Sequence, residues 1–332
     1  MVGRNTLSIA GVLGMIAGVA VALHFAQAYT GALEIPRTIG PYGTANFTTG
    51  DTAYPRRAID AEGYRIKISR PVKTIGSQSW SIDEFVYSLV PPQSVVAVSE
   101  NAYDRRYSNV YEWAEKFRPA ITANPEVVLK LNPDLLLVSS TGRSDFTDLV
   151  KNGGIPVFRL FTAFTSLDEV GRTILLVGYL TGGEVAAQRV HEEFQQAIQR
   201  AKKRRPAGAV APRILGYTAG YSYGGQTLFD DIVRAAGGTN VGAENGLRGY
   251  EAVNTEQILH WNPEWIISSA AQGQPDSVLR RLMEDPAIAL TTAARKGQVL
   301  VLENNVFLPM SPFTRLFLDV LSEALYGTAP GA

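Results

Sequence analysis

Short apolar runs alternate with segments of helical period along most of the chain. In the first half, this pattern predicts a hairpin over residues 58–69, with its turn at Glu62-Gly63. It also predicts a helix at 82–89 and strands at 72–75, 94–98, 135–139 and 156–160. Successive parallel strands must be joined by crossover connections, which are usually helices, and the alternation of strands with helical segments supplies them. The first half is therefore predicted to form a mostly parallel α/β lobe.

One segment of the chain occurs twice. Residues 124–137 recur as residues 254–267, with Asn, Glu, Leu, Asn and Pro in register. In each copy the first Asn can cap a helix, the Asn-Pro pair ends it, and the apolar run that follows is typical of a strand buried on both faces. A helix-to-strand unit repeated at this distance predicts two similar Rossmann-like lobes with a ligand cleft between them.

A long helical segment separates the two predicted lobes. Ser166 and Glu169 form a capping box at its start, and its apolar face continues to about Arg205. Gly182-Gly183 is a candidate kink, and the whole element is expected to run over about 50 Å, which is long enough to brace both lobes. The second lobe is predicted to contain strands near 213–217, 265–268 and 299–302 and a closing helix over 313–325.

These patterns divide the chain into five predicted parts. They are a signal peptide or membrane anchor at 1–28, an extended lead-in at 29–57, an N-terminal lobe at 58–165, an inter-lobe helix at 166–206 and a C-terminal lobe at 207–332.

The N-terminus predicts export. Residues 1–28 contain a single charge, Arg4, then an apolar stretch, and end in Ala26-Gln27-Ala28, which matches a signal-peptidase site. The stretch is also long enough for a retained anchor, so two outcomes stay open: a free periplasmic protein, or one tethered to the inner membrane. There is no cysteine, which excludes disulfides and lipid attachment. The remainder carries 30 basic and 31 acidic residues, which does not favour nucleic acid as a partner.

Taken together, the chain resembles the class III periplasmic substrate-binding proteins, which deliver iron-siderophore, haem or cobalamin to ABC importers. The resemblance covers residues 58–327 and rests on the order and spacing of several motifs. These are Asp-Ala-Glu-Gly at 60–63, Pro-Val-Lys-Thr-Ile at 71–75, the repeated unit at 126–137 and 256–267, Gly178 with Gly182-Gly183, and Ala-Ala-Gly-Gly-Thr-Asn at 235–240. The resemblance implies two lobes joined by one rigid helix. The lead-in and the charged, aromatic segment 100–119 depart from the family pattern.

The resemblance also implies a partner, the permease of an ABC importer with its ATPase. Family members dock through one surface carboxylate per lobe, and Glu126 and Glu256 occupy the matching positions of the two copies. The alternative is that each Glu only complements its helix dipole. The pairing of the two positions favours docking.

The ligand is expected where strand-end loops of both lobes face the cleft. These loops supply the predicted ligand-binding residues: Trp80, Tyr103, Arg105, Arg106, Tyr107, Arg143, Tyr221, Tyr223, Arg248 and Tyr250. Aromatic faces with guanidinium groups suit a large, flat, anionic or metal-chelating ligand. Alternatives stay open: Trp80 as a core residue, the 105–106 pair as a solvated surface, and a tyrosinate at 103 or 107 as a haem ligand. Tyr221 and Tyr223 are expected on an exposed loop.

Other classes of function fit the sequence less well. A bare-metal receptor needs several histidines, and the chain has only His24, His191 and His260. The motifs of common hydrolases and nucleotide-binding enzymes are missing, so we expect a binding protein and not an enzyme. The prediction is a monomer, without a permanent cofactor, that captures a ferric siderophore or haem. The alternatives are a cobalamin-binding protein or a membrane-anchored sensor of the same fold.

Overall fold

Two separate sheets organise the part of the chain that the computed structural model describes, residues 53–122 and 124–327. The N-terminal sheet has the order β4-β3-β5-β6, and all of its strands are parallel. Its strands are β3 (Ile75–Ser77), β4 (Val95–Ala97), β5 (Leu135–Ser139) and β6 (Val157–Leu160). Its helices are α1 (Trp80–Leu89), α2 (Tyr111–Ala114), α3 (Pro125–Leu131) and α4 (Ser144–Asn152).

The C-terminal sheet mixes a parallel centre with an antiparallel edge. Its order is β10-β8-β7-β11-β12, with β9 beside the start of β7. The strands are β7 (Arg213–Thr218), β8 (Tyr221–Tyr223), β9 (Thr239–Asn240), β10 (Tyr250–Ala252), β11 (Trp265–Ala270) and β12 (Val299–Glu303). The helices are α7 (Leu228–Ala235), α8 (Val241–Glu244), α9 (Thr255–Trp261), α10 (Pro275–Glu284), α11 (Pro286–Ala289), α12 (Thr292–Arg295), α13 (Asn304–Phe307) and α14 (Thr314–Tyr326).

The strands predicted as buried are buried. All five residues of β5 are inaccessible, as are all but the first of β11, because helices cover both faces of a parallel sheet. The predicted strand at 72–75 is displaced, since β3 begins only at Ile75. The backbone N–H groups of Lys73 and Thr74 donate to the Asp134 carboxylate instead of to a neighbouring strand.

The predicted single inter-lobe helix over 166–206 is wrong in extent. The structure has two helices there, α5 (Leu167–Thr181) and α6 (Glu184–Arg204). Gly182 ends α5 in the left-handed conformation with φ of 80°, a cap that glycine adopts without steric cost. The chain then folds back, so that Gly171 and Gly178 of α5 lie against residues of α6.

Helix α6 joins the two lobes. It packs on α5 and α1 on the N-terminal side and on α14 and α7 on the C-terminal side. Its 21 residues span about 32 Å, not the 50 Å expected of the whole segment. The fold class is thus confirmed: two α/β lobes, mostly parallel sheets and one long connecting helix.

Close approach of α5 and α6 depends on Gly178. A Cβ atom there would lie 2.3 Å from the Ala187 Cβ, whereas a Cβ at Gly171 would meet the His191 ring at 3.2 Å and the Gln195 amide at 3.3 Å. We expect Gly178→Ala to lower the free energy of unfolding by about 1–3 kcal/mol, because the helices must separate.

Gly171→Ala is the matched control for this substitution. Its neighbours are the far ends of flexible side chains, and alanine favours a helix interior over glycine by about 1 kcal/mol. We expect it to be neutral or stabilising in urea unfolding. Equal losses in both variants would contradict the proposed close contact.

The N-terminal hairpin consists of β1 (Arg56–Ile59) and β2 (Arg65–Ile68), and it begins inside the predicted lead-in. Arg56 is buried, forms an ion pair with Glu184 and donates to the carbonyl of Tyr179. These contacts fasten the hairpin to the turn between α5 and α6. The predicted signal or anchor at 1–28 and most of the lead-in lie outside the described residues. Among the described residues, no helix is long and apolar enough to cross a membrane.

Candidate functional site

The two copies of the repeated segment have the same local structure. Asn124 accepts from the Glu126 N–H at 2.9 Å at the start of α3, and Asn254 accepts from the Gln257 N–H at 2.8 Å at the start of α9. Both helices end at an asparagine in the left-handed conformation, Asn132 and Asn262. The predicted caps and stops of both copies are therefore confirmed.

The acidic residue of each copy also has the same tertiary role. Asp134 accepts from the backbone of Lys73 and Thr74, immediately before β3. Glu264 accepts from the Arg213 N–H at 2.9 Å, at the start of β7. Each carboxylate thus joins its own strand to the neighbouring strand of the sheet, and the copies are equivalent in three dimensions.

Glu126 and Glu256 occupy equivalent, exposed positions, each the second residue of its helix. Each helix is followed by a buried strand of its own sheet, β5 after α3 and β11 after α9, so the two positions are equivalent in the two lobes. Among the described residues, neither side chain makes a recorded hydrogen bond or ion pair. Both carboxylates are free to meet a partner.

Trp80 lies where the two lobes meet. It follows β3 as the first residue of α1, and it is half-buried. The hydroxyl of its neighbour Ser81 donates to the carbonyl of Met310 in the C-terminal lobe at 2.5 Å. Trp80 itself is neither fully buried nor fully exposed.

We define the ligand loop as residues 100–110. Within it, the Tyr103 hydroxyl donates to the carbonyl of Phe117, and the Arg118 guanidinium lies 4.2 Å from the centre of its ring. Burial raises the pKa of Tyr103 despite the opposing effect of Arg118. This hydroxyl is engaged within its own lobe, and a role as an iron ligand would require breaking its hydrogen bond to Phe117.

Two of the predicted arginines are neutralised by near neighbours in the sequence. Arg106 donates to both carboxylate oxygens of Asp104, at 2.6–3.1 Å. Arg143 pairs with Asp145 in the same way. Both pairs are largely exposed. These guanidinium groups are therefore already compensated before any anionic ligand arrives.

The guanidinium groups of the other two arginines have no carboxylate partner among the described residues, although the backbone N–H of Arg248 donates to the Glu251 carboxylate at 2.8 Å. Arg105 lies 4.7 Å from the centre of the Tyr111 ring. Arg248 is exposed, on a loop whose backbone pairs with Gly224 and Gly225. Each lobe thus has one predicted ligand-binding arginine whose guanidinium makes no ion pair among the described residues.

The aromatic residues of the C-terminal lobe form a packed group, which corrects the expectation of an exposed loop. Tyr221 and Tyr223 lie on β8, and the Tyr223 ring contacts Phe229, Tyr250 and Phe307 with centroids 5.0–5.4 Å apart. Burial raises the pKa of Tyr223, and it raises the pKa of Tyr250 to about 12. Both hydroxyls stay protonated at neutral pH.

Sequence reasoning missed two buried carboxylates on α1. Asp83 and Glu84 are fully buried, and burial raises the pKa of each to about 7 against the lowering effect of their hydrogen bonds. Asp83 accepts from the backbone and hydroxyl of Ser99. Glu84 accepts from Asn109 and from Ser311 of the other lobe. Both acids lie beneath the ligand loop.

Two surface grooves lie outside the predicted ligand cleft. Two grooves of about 410 and 340 Å³ run along α6, one beside α7 and one beside α1. They are lined by charged side chains and are remote from the strand ends, so their size does not identify them as the ligand site. No cluster of histidine and carboxylate side chains suited to a metal ion occurs in residues 53–122 and 124–327.

Two α/β lobes that face each other across their strand ends, joined by one helix, define a solute-binding protein with a rigid connection. The chain belongs to the periplasmic binding protein family, whose model matches residues 75–306. This confirms the resemblance to class III substrate-binding proteins. It also confirms that the chain is a binding protein and not an enzyme.

Similar proteins include binders of corrinoids and of haem. The chain is 25% identical over 273 residues to the cobalamin-binding protein of Halobacterium salinarum, covering 80% of this chain and 73% of that one. It is 26% identical over 208 residues to the vitamin B12-binding protein of Yersinia pestis, covering 61% and 71%. The periplasmic haem-binding protein RhuT of Roseiflexus has the same fold, with a TM-score of 0.64, 24% identity and coverage of 78% and 100%.

Proposed function

We propose that this protein is exported, captures a cobalamin-type corrinoid in the cleft as a monomer, and delivers it to the permease of an ABC importer. The choice of cargo rests on one observation: several of the polar side chains predicted to bind the ligand already have partners within the protein. Arg106 and Arg143 are paired with carboxylates, the Tyr103 hydroxyl donates to the carbonyl of Phe117, and the Tyr223 ring packs against Tyr250 and Phe307.

This set of side chains suits a ligand of low charge whose metal needs no protein ligand. Haem iron needs an axial ligand, for which Tyr107 and Tyr221 remain among the predicted residues, and an anionic siderophore needs unpaired cations, for which Arg105 and Arg248 remain. A cobalamin supplies the ligands of its own cobalt and presents a ring for stacking and amides for hydrogen bonds. Cobalamin-binding proteins are also among the relatives that align over most of this chain.

Titration of the purified full chain with hydroxocobalamin, haemin and a ferric catecholate tests the cargo. The expected result is a 1:1 complex with hydroxocobalamin and weaker binding of the other two. Tyr107 and Tyr221 are half-buried tyrosines of the predicted set whose hydroxyls make no hydrogen bond within the described residues, so their Phe variants serve as haem controls. A Soret band that shifts in Tyr107→Phe or Tyr221→Phe would overturn the corrinoid proposal in favour of haem.

Single substitutions should show how much each predicted contact contributes to the affinity for hydroxocobalamin. We expect Trp80→Ala to weaken binding of hydroxocobalamin by about tenfold or more, because both stacking and burial are lost. Arg106→Ala should change affinity by less than about twofold, since its guanidinium already has a carboxylate partner.

Arg248→Ala separates the cargo classes. Its unpaired guanidinium would contribute about 1.5–3 kcal/mol to binding of an anionic chelate. For a corrinoid we expect a smaller loss than at Trp80, measured by fluorescence quenching. The opposite ranking would support a ferric siderophore.

A further inference from the structure

Two consecutive acids of α1 hold the two ends of the ligand loop. Asp83 accepts from the N–H of Ser99 at 3.2 Å and from its hydroxyl, immediately before the loop. Glu84 accepts from the Asn109 side chain at 2.8 Å and from its backbone N–H at 3.3 Å, at the end of the loop. One turn of one helix thus fixes the base of the loop that carries Tyr103 to Tyr107.

Glu84 differs from Asp83 in reaching the other lobe. Its second carboxylate oxygen accepts from the Ser311 hydroxyl at 2.5 Å, and Ser311 belongs to the segment that precedes α14. The Asn109 side chain also crosses, donating to the carbonyl of Asn305 at 2.8 Å. A single buried carboxylate therefore contacts α1, the ligand loop and the C-terminal lobe.

We propose that Glu84 is a positioning residue for ligand binding. Its carboxylate fixes both the position of the ligand loop and the contact between the two lobes. The inference rests on the proposed function, because it takes the ligand loop to be part of the binding site. Ligand-binding residues on this loop would then respond to movement of the C-terminal lobe.

Protonation should control this coupling. Burial raises the pKa of Glu84 to about 7, the Ser311 hydroxyl and the Asn109 amide lower it, and the charge of Asp83 raises it. The groups that face Glu84 are thus a neutral amide from the ligand loop, a neutral hydroxyl from the C-terminal lobe and one titratable acid from its own helix. Above neutral pH the buried charge favours an opening that hydrates it. Below neutral pH the closed contact is favoured.

Amide hydrogen exchange of the ligand-free full chain tests the proposal. In the wild-type protein, protection of residues 100–110, corrected for intrinsic exchange, should fall by up to about tenfold per pH unit between about pH 7 and pH 8. Asp83 also titrates and holds the other end of the loop, so the comparison is made in the Asp83→Asn background. There Glu84→Gln keeps the shape and the acceptor for Asn109 but has no charge, so the remaining pH dependence should disappear. A pH dependence that persists in the Asp83→Asn/Glu84→Gln double variant would overturn the proposal.

Ser311→Ala probes the other lobe without altering α1. It should lower protection of residues 100–110 by about threefold or more, although Ser311 lies in the other lobe and far away in the sequence. Ser99→Ala is the control, since it removes a contact within the N-terminal lobe and should leave protection of residues 305–311 unchanged. If Ser311→Ala affects only its own segment, the coupling does not exist.

The same variants separate this inference from the choice of cargo. The exchange experiment contains no ligand, so its outcome does not depend on which chelate binds. If Glu84 couples the loop to the lobes but hydroxocobalamin does not bind, the corrinoid proposal fails alone. If hydroxocobalamin binds equally well to the wild type and to Glu84→Gln at about pH 6 and pH 8, with identical dissociation rates, the positioning role fails alone.

Discussion

Replacing both Glu126 and Glu256 by lysine is expected to abolish uptake of the cargo in cells that carry the cognate permease and ATPase. Both carboxylates are exposed, occupy equivalent positions in the two lobes and make no hydrogen bond or ion pair among the described residues. Charge-assisted contacts with permease cations would contribute about 1.5–3 kcal/mol each, and reversal turns attraction into repulsion. A lysine on the first turn of each helix costs only about 0.3–1 kcal/mol in stability.

The affinity of the purified double variant for hydroxocobalamin should stay within about twofold of the wild type, because neither side chain belongs to the predicted ligand-binding set. Asp148→Lys combined with Glu284→Lys is the matched control. It changes the net charge equally, with one exposed acid in each lobe at non-equivalent positions. Normal uptake in the Glu126/Glu256 variant, or equal loss in the control, would show that the pair does not dock.

The repeated segments could be predicted because their signals are local. Asn124 and Asn254 cap the helices that follow them, and Asn132 and Asn262 end those helices, all within one short stretch of chain. The buried strands follow from uninterrupted apolar runs. Equivalence of the two lobes then follows without any knowledge of tertiary contacts.

The helix pair α5 and α6 could not be derived in the same way. Its apolar face keeps one period on both sides of Gly182, so periodicity predicts a single helix. What turns the chain is the left-handed cap at Gly182 together with the close contact of Gly178 with Ala187, which is tertiary. The Gly-Gly pair at 182–183 is the local signal for the end of α5, because glycine adopts the left-handed cap without steric cost.

The site was predictable in position but not in electrostatics. The strand ends indicate which loops face the cleft, yet Asp104 and Asp145 stand two residues from Arg106 and Arg143 and neutralise them. This proximity is visible in the sequence and argues against counting those arginines as free. Ring packing around Tyr223, in contrast, brings together residues far apart in the chain.

The buried acids of α1 gave no periodic signal at all. Ile82, Phe85 and Leu89 form one apolar face, and Glu84 lies on the opposite side, where solvent is normally expected. The helix is buried on both sides because the C-terminal lobe covers its second face. Tertiary contacts, and not the periodicity of the sequence, show that Asp83 and Glu84 are buried.

Asp83→Asn is expected to make the protein more stable above neutral pH and to remove part of its pH dependence. Burial raises the pKa of Asp83 from near its ordinary value to about 7, despite the hydrogen bonds from Ser99. The folded state therefore binds a proton more tightly than the unfolded state. The stability from this group is fully present below about pH 4 and is lost as the pH rises towards 7.

The size of the effect follows from the pKa change. A rise of about three units corresponds to about 4 kcal/mol lost between those pH values, and one unit is 1.36 kcal/mol. The asparagine can still accept from the Ser99 N–H and can donate to its hydroxyl. In urea unfolding, wild type and variant should have similar stability near pH 4, and the variant should gain steadily above it. A parallel dependence of the two proteins from about pH 4 to pH 8 would contradict the raised pKa.

Asp134→Asn provides a control of opposite sign. Burial raises the pKa of Asp134, but the backbone N–H groups of Lys73 and Thr74, with Arg70, outweigh burial and lower it overall. The stabilisation from Asp134 is present above its unfolded pKa and is lost as the pH falls through the folded value. Asp134→Asn should therefore destabilise the protein at neutral pH, where Asp83→Asn stabilises it. Both acids accept from backbone N–H groups, and they differ in that Asp83 is fully buried. Opposite changes in the free energy of unfolding for the two Asn variants would therefore separate the effect of burial from the effect of hydrogen bonding.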